Sequence, residues 1–160
     1  MTQKLDALAA ELGQRLLPRR YFLGTAESCT GGWVAKVVTD VAGSSAWFDR
    51  GFVTYSNEAK TDMLGVSPSI FQQHGAVSEA CVQAMVRGVL AHSRAHLAVA
   101  ISGIAGPGGG SVEKPVGTVW IAWAMEHECI ARCFHFAGDR EQIRYAAVEQ
   151  ALQGLLSFFD

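Results

Sequence analysis

Leu5, Leu8, Ala9, Leu12 and Leu16 recur at helical spacing and Pro18 stops the pattern, so the chain should open with an amphipathic helix. The run YFLGTAE, residues 21–27, is short and apolar and leads into a glycine turn, as a buried strand does. Helical spacing returns with Trp33, Val34, Val37, Val38 and Val41 on one broad face of a helix beginning near Gly31. FDRGFVTYS, residues 48–56, is rich in aromatic and β-branched residues and reads as a second strand. A short helix should start at Asn57, and Gly65 to Gly75, which holds Pro68, reads as a loop. Ser78 should cap a helix carrying Val82, Met85, Val86 and Val89. LAVAISG, residues 97–103, is almost wholly apolar, as expected of a strand covered on both faces.

Residues 103–117, GIAGPGGGSVEKPVG, are too rich in glycine and proline for regular structure. TVWIAWAM and CIARCFHF then form a hairpin turning near Glu126, His127 and Glu128. Asp139 and Gln142 have the spacing of a capping box, ahead of a last helix whose buried side carries Ile143, Ala147, Ala151, Leu155 and Phe158. Strands alternating with helices predict a three-layer α/β/α sandwich, and the late hairpin makes its mostly parallel sheet mixed.

The 160 residues suit a single domain spanning 1–160. The net charge of −2, with no basic stripe, argues against a nucleic-acid partner or an anionic membrane surface. No apolar run approaches the roughly 20 residues needed to span a bilayer. The amphipathic, acid-containing start resembles neither a signal nor a transit peptide. Cys29, Cys81, Cys129 and Cys133 fit no zinc spacing and read as free thiols in a reducing compartment.

Two loops carry candidate chemistry. TAESCTGGW, residues 25–33, follows a strand and precedes a helix. In an open α/β sheet, ligands bind beyond the carboxyl ends of the strands. The helix there would aim unpaired N–H groups at the turn, and Gly31 and Gly32 would let a ligand approach the backbone. Ser28 is the candidate nucleophile; the plainer alternative makes Ser28 or Thr30 an N-cap. Cys29 is a rival nucleophile or simple core filler. None of His74, His92, His96, His127 and His135 has an obvious acidic orienter, which disfavours a Ser-His-Asp triad. Lys60 follows a strand end as Ser28 does, and Tyr55 stands near it; a buried lysine can lose its proton and serve as base. The alternative is a solvated first-turn lysine. SGIAGPGGG, residues 102–110, can form an anion-binding nest or a flexible turn, and Arg140 can meet a phosphate or simply face solvent.

AESCTGG (26–32), GSSAWFDRGFVTYSNEAK (43–60), GAVSE (75–79), SGIAGPGGG (102–110), KPVGTVW (114–120) and GDR (138–140) together resemble the nicotinamide-nucleotide amidases of the CinA C-terminal domain family, over nearly the whole chain. The resemblance implies a cytoplasmic amidohydrolase that converts nicotinamide mononucleotide to nicotinate mononucleotide and ammonia, without cofactor or metal. It places the family's serine on Ser28 and its lysine on Lys60, with Tyr55 nearby and the hydroxyl of Ser102 passing a proton. Backbone amides from Cys29 through Thr30 to Gly31 would hold the oxyanion. Gly106, Gly108, Gly109, Gly110 and Arg140 would bind the phosphate, and Glu27 or Tyr55 would face the charged ring. Other readings stay open: a non-catalytic nucleotide-binding module, or an amidase for another phosphorylated amide. A homo-oligomer is also compatible.

Overall fold

The computed structural model describes residues 2–160. Helix α1 (Thr2–Leu16) leads to β1 (Leu23–Glu27), α2 (Trp33–Thr39), β2 (Phe48–Val53), α3 (Asn57–Leu64), α4 (Pro68–His74), α5 (Glu79–Ala91), β3 (Leu97–Gly103), β4 (Thr118–Met125), β5 (Glu128–His135) and α6 (Arg140–Leu156). The strands form one sheet in the order β2-β1-β3-β4-β5. β1 runs parallel to both its neighbours, whereas β4 is antiparallel to β3, and β5 to β4. The expected α/β/α sandwich around a mixed sheet is the observed fold.

Strand alternation divides the core. Leu97, Val99 and Ile101 of β3 face one side and pack with Leu12 and Leu16 of α1, Val34 and Val37 of α2, and Ile143 and Ala147 of α6. Ala98 and Ala100, with Ala122 and Ala124 of β4, face the other side and meet Val82, Met85, Val86 and Val89 of α5. The small alanine surface admits α5 close to the sheet. α3 packs against α5 on this same side.

The caps follow the sequence. Ser78 accepts from the Cys81 amide, and Asp139 with Gln142 forms the full capping box of α6. Two local expectations change. Residues 65–75 are not all loop, because Pro68 occupies the first turn of α4; proline suits that position, where its missing N–H has no partner to lose. Helix α2 begins at Trp33 rather than near Gly31, because Gly31 and Gly32 both take positive φ. All four cysteines are free. Among the described residues, no helix is long and apolar enough to cross a membrane.

Candidate active site

The carboxyl ends of β1, β2 and β3 lie side by side, and the segments leaving them enclose a cavity of about 230 Å³. Ser28, Cys29, Lys60, Ser102 and Arg140 line it together with Tyr55, and no histidine does among the described residues.

Parity along β1 sets the chemistry. Ala26 faces the alanine side of the sheet, and Ser28, just past the end of β1 and tied to β3 by its amide on the Ile101 carbonyl at 3.0 Å, projects to the same side toward α3. There the Lys60 amine donates to Ser28 Oγ at 3.2 Å. Lys60 is 1% exposed, so the solvated alternative fails. It sits in α3 where Ser56, accepting from the Ala59 amide, starts the helix directly after β2. Its second hydrogen bond runs to the Tyr55 carbonyl at 3.3 Å, and that carbonyl also lies 3.4 Å from the Ser28 hydroxyl. No carboxylate lies within hydrogen-bond reach of the amine among the described residues. Burial therefore lowers the Lys60 pKa, against smaller opposing pulls from Cys81, Cys29 and Glu58.

The third group in contact is thus the backbone of Tyr55, not the expected Ser102 hydroxyl. Ser102 is buried in the cavity wall but hydrogen-bonds neither Ser28 nor Lys60 among the described residues. It stands on β3, which lies across β1 from the β2–α3 connection that brings in Lys60. Tyr55 is 62% exposed at the rim, where Arg140 donates to its hydroxyl at 3.3 Å. The other arm of Arg140 donates to the Gly106 carbonyl at 2.7 Å. Cys29 lines the cavity, but burial pushes its thiol up to about 11 against the pull of Arg144, so it stays protonated at neutral pH.

Glu27 does not face a ligand. As the last residue of β1 it points through the face opposite Ala26, and it is 1% exposed beneath the start of α2. Its carboxylate accepts from Thr30 Oγ1 at 2.7 Å, the Val34 amide at 2.9 Å and the Ala35 amide at 3.1 Å. The side chain of Thr30 is spent there too. The first-turn N–H groups expected to meet a ligand are therefore satisfied from inside the protein, and the positive end of the helix dipole meets Glu27. Gly31 donates its amide to the Ser28 carbonyl at 3.0 Å and does not line the cavity, so it offers no oxyanion contact. The amides of Cys29 and Thr30 donate to no other residue among those described, but Thr30 is fully buried and outside the cavity lining, so only the Cys29 amide reaches the site. Gly108, Gly109 and Gly110 border a separate open depression with Pro107 and Ser111, because the loop turns outward beyond Ala105. Beyond Ser102, the glycine loop brings to the site or its Arg140, among the described residues, Gly103, Ala105 and the carbonyl of Gly106.

Sequence reasoning missed Asn57, Ala76 and Val77 in the cavity wall, and Arg144 of α6 behind the Ser28 turn. Asn57 and the pair Ala76–Val77 lie inside YSNEAK and GAVSE, stretches that already stood out. Arg144 had no such signal.

The sequence profile of the CinA C-terminal domain matches residues 5–159. The chain is 58% identical over 157 residues to the nicotinamide-nucleotide amidohydrolase PncC of Escherichia coli, covering 98% of this chain and 95% of the relative. The enzyme of the same name from Pseudomonas putida is 53% identical, with 95% of each chain covered. The crystal structure of the competence/damage inducible protein CihA from Agrobacterium tumefaciens superposes with a TM-score of 0.96 at 44% identity, over 98% of this chain and 96% of that one. Fold, motifs and relatives agree across the length of the chain, which belongs to the CinA C-terminal domain family.

Proposed function

We propose that the chain hydrolyses the carboxamide of nicotinamide mononucleotide to nicotinate mononucleotide and ammonia, with Ser28 as nucleophile and Lys60 as its base. The relatives named as amidohydrolases support the substrate. The observation that carries the mechanism is a buried amine 3.2 Å from a buried hydroxyl. Lowered by burial, the Lys60 amine takes the Ser28 proton as Oγ bonds the carboxamide carbon. The amide oxygen gains the negative charge and faces the amide of Cys29, which lines the cavity. Lys60, now cationic, returns its proton to the leaving nitrogen; the C–N bond breaks and ammonia departs. Lys60 then deprotonates a water that attacks the acyl carbon, and Ser28 leaves with the proton. The Tyr55 carbonyl holds the amine in line throughout.

At about 230 Å³ the cavity is smaller than the roughly 300–1,000 Å³ typical of sites that enclose a drug-sized ligand. It suits the reacting ring, with ribose and phosphate leaving past Arg140 and the ring lying against Tyr55. The setting we infer is cytoplasmic, without metal or cofactor. Ammonia release from purified protein across a panel of pyridine mononucleotides, dinucleotides and nucleosides tests the reading. Mononucleotide should be the preferred substrate, and Ser28→Ala should lose turnover by at least roughly 10³-fold while keeping its fold. Saturable binding with no ammonia would instead make the chain a nucleotide-binding module.

A further inference from the structure

The outer half of the glycine loop turns away from the cavity, but it delivers a cation to another of the cavity's walls. Lys114 donates through Nζ to the His74 carbonyl at 2.8 Å. The loop holds that side chain in place. The Ser111 amide donates to the Lys114 carbonyl at 2.9 Å, and the Lys114 amide returns a bond to Ser111 Oγ at 3.0 Å. At the base of the loop, the Gly117 amide donates to the Ile104 carbonyl at 2.8 Å and Thr118 Oγ1 to the Pro115 carbonyl at 2.6 Å. Glycine permits the approach at the receiving end. Gly75 has φ +79°, and a Cβ there would lie 3.2 Å from the Lys114 ammonium.

His74 ends α4, and two residues further on Ala76 and then Val77 line the cavity with Ser28, Lys60 and Tyr55. This wall has little support of its own. The Gly75 amide closes α4 on the Phe71 carbonyl, and the Gly75 carbonyl accepts from Ser78 Oγ. The backbone groups of Ala76 and Val77 bond to no other residue among those described. Both side chains are apolar, and apolar contact is non-directional, so the position of the wall is set by what holds its two ends. One end is the cap of α5 at Ser78. The other is the bond from Lys114, which its charge makes stronger than a neutral one.

We propose that Lys114 is a positioning residue that decides which rings the cavity admits: by holding the His74 carbonyl it sets Ala76 and Val77 against the ring of the substrate. This inference rests on the amidohydrolase reading and adds to it a limit on ring size. It also gives the glycine-rich segment a role other than the phosphate contact expected of it. The segment is a stiff arm from the β3–β4 connection to the junction of α4 with α5.

The test measures ammonia release by wild type, Lys114→Met and Lys114→Arg from nicotinamide mononucleotide and from its benzo-fused analogue, quinoline-3-carboxamide mononucleotide, with melting temperatures recorded for each. Wild type should prefer the smaller ring. Methionine nearly keeps the length of lysine but neither its charge nor its donors, so the wall should relax outward. A misfit of one methylene in a hydrophobic pocket is worth roughly 10-fold or more. Lys114→Met should therefore raise KM for nicotinamide mononucleotide by about that factor, with kcat falling less because Ser28 and Lys60 keep their contact. The ratio of kcat/KM values should shift toward the benzo-fused analogue by at least roughly tenfold. Arginine, another cationic donor, should restore most of both. A folded Lys114→Met with wild-type KM and ratio overturns the proposal. So does an equal loss on both substrates, which is what a merely loosened fold gives, and so does an arginine variant that behaves like methionine. If Lys114→Met does not fold, Lys114→Gln, whose amide falls one bond short of the carbonyl, is read by the same ratio. Wild type that releases no ammonia from either substrate sinks the amidohydrolase reading and this inference with it. An active wild type whose variants keep its ring preference sinks this inference alone.

Discussion

Replacing Lys60 with methionine should abolish turnover yet leave the chain at least as stable at neutral pH. Methionine keeps nearly the same length and volume, so the wall between α3 and α5 stays filled. The variant loses two hydrogen bonds, to Ser28 Oγ at 3.2 Å and to the Tyr55 carbonyl at 3.3 Å, both at the long end of the normal range. The Ser28 hydroxyl already lies 3.4 Å from that carbonyl and can close onto it, so the net loss is about 1 kcal/mol. Against this stands the burial of an amine that has no carboxylate partner. Each pKa unit by which burial lowers Lys60 withholds about 1.4 kcal/mol of stability at neutral pH. Depression beyond about one unit therefore makes the methionine variant the more stable chain. The pH dependence identifies the cause. The unfolded chain keeps the lysine proton up to about pH 10.4, while the folded chain releases it earlier, so wild-type stability rises with pH across that window. The advantage of Lys60→Met should be greatest near pH 7 and close by about pH 10. Thermal melts at several pH values read it directly, at about 2–4 °C per kcal/mol. A variant destabilised by more than about 2 kcal/mol at every pH, or offset from wild type by a constant amount, would refute the account of Lys60 as a desolvated amine.

Three further outcomes follow from the same geometry. Cys29→Ala should keep kcat within about threefold of wild type, and iodoacetamide at neutral pH should not inactivate the enzyme, because burial holds the thiol protonated up to about 11; rapid inactivation traced to Cys29 would contradict this. Glu27→Gln replaces one acceptor oxygen of a buried carboxylate with a donor facing an amide, so it should lower stability by about 2–4 kcal/mol in denaturant melts. A neutral result would mean that Glu27 is not the internal cap of α2. Arg140→Ala should raise KM for the mononucleotide at least tenfold and leave the corresponding nucleoside almost unaffected; equal losses on both would reduce Arg140 to a strut between Gly106 and Tyr55.

The residues that were readable in advance are those whose signal is local. LAVAISG became β3 without adjustment, and the Asp139–Gln142 box caps α6 as its spacing implied. Ser28 and Lys60 stood out because each follows a strand whose neighbours are also strands, and carboxyl ends of adjacent parallel strands must converge. Helix α4 was obscured by Pro68, which marks a loop in one context and a helix start in another; what separates the two is the packing of the residues after it. Glu27 could have been placed correctly from sequence alone, since it closes a buried strand and must take the face opposite Ala26. The outward course of Gly108–Gly110 and the grip of Arg144 on Cys29 were not readable, because they depend on how far a glycine loop bends and on a contact between residues more than a hundred positions apart.

The juxtaposition of Glu27 and Ser28 carries a consequence for any attempt to redesign or transplant this centre. The two side chains serve opposite layers of the sandwich from consecutive positions, one anchoring a helix below the sheet and the other reaching a lysine above it. Inserting or deleting a single residue upstream in β1 would turn the carboxylate into the cavity and drive the hydroxyl under α2. The centre would then lose its nucleophile and its scaffold in the same step. Such a motif can be moved to a new protein only together with the phase of the strand that delivers it.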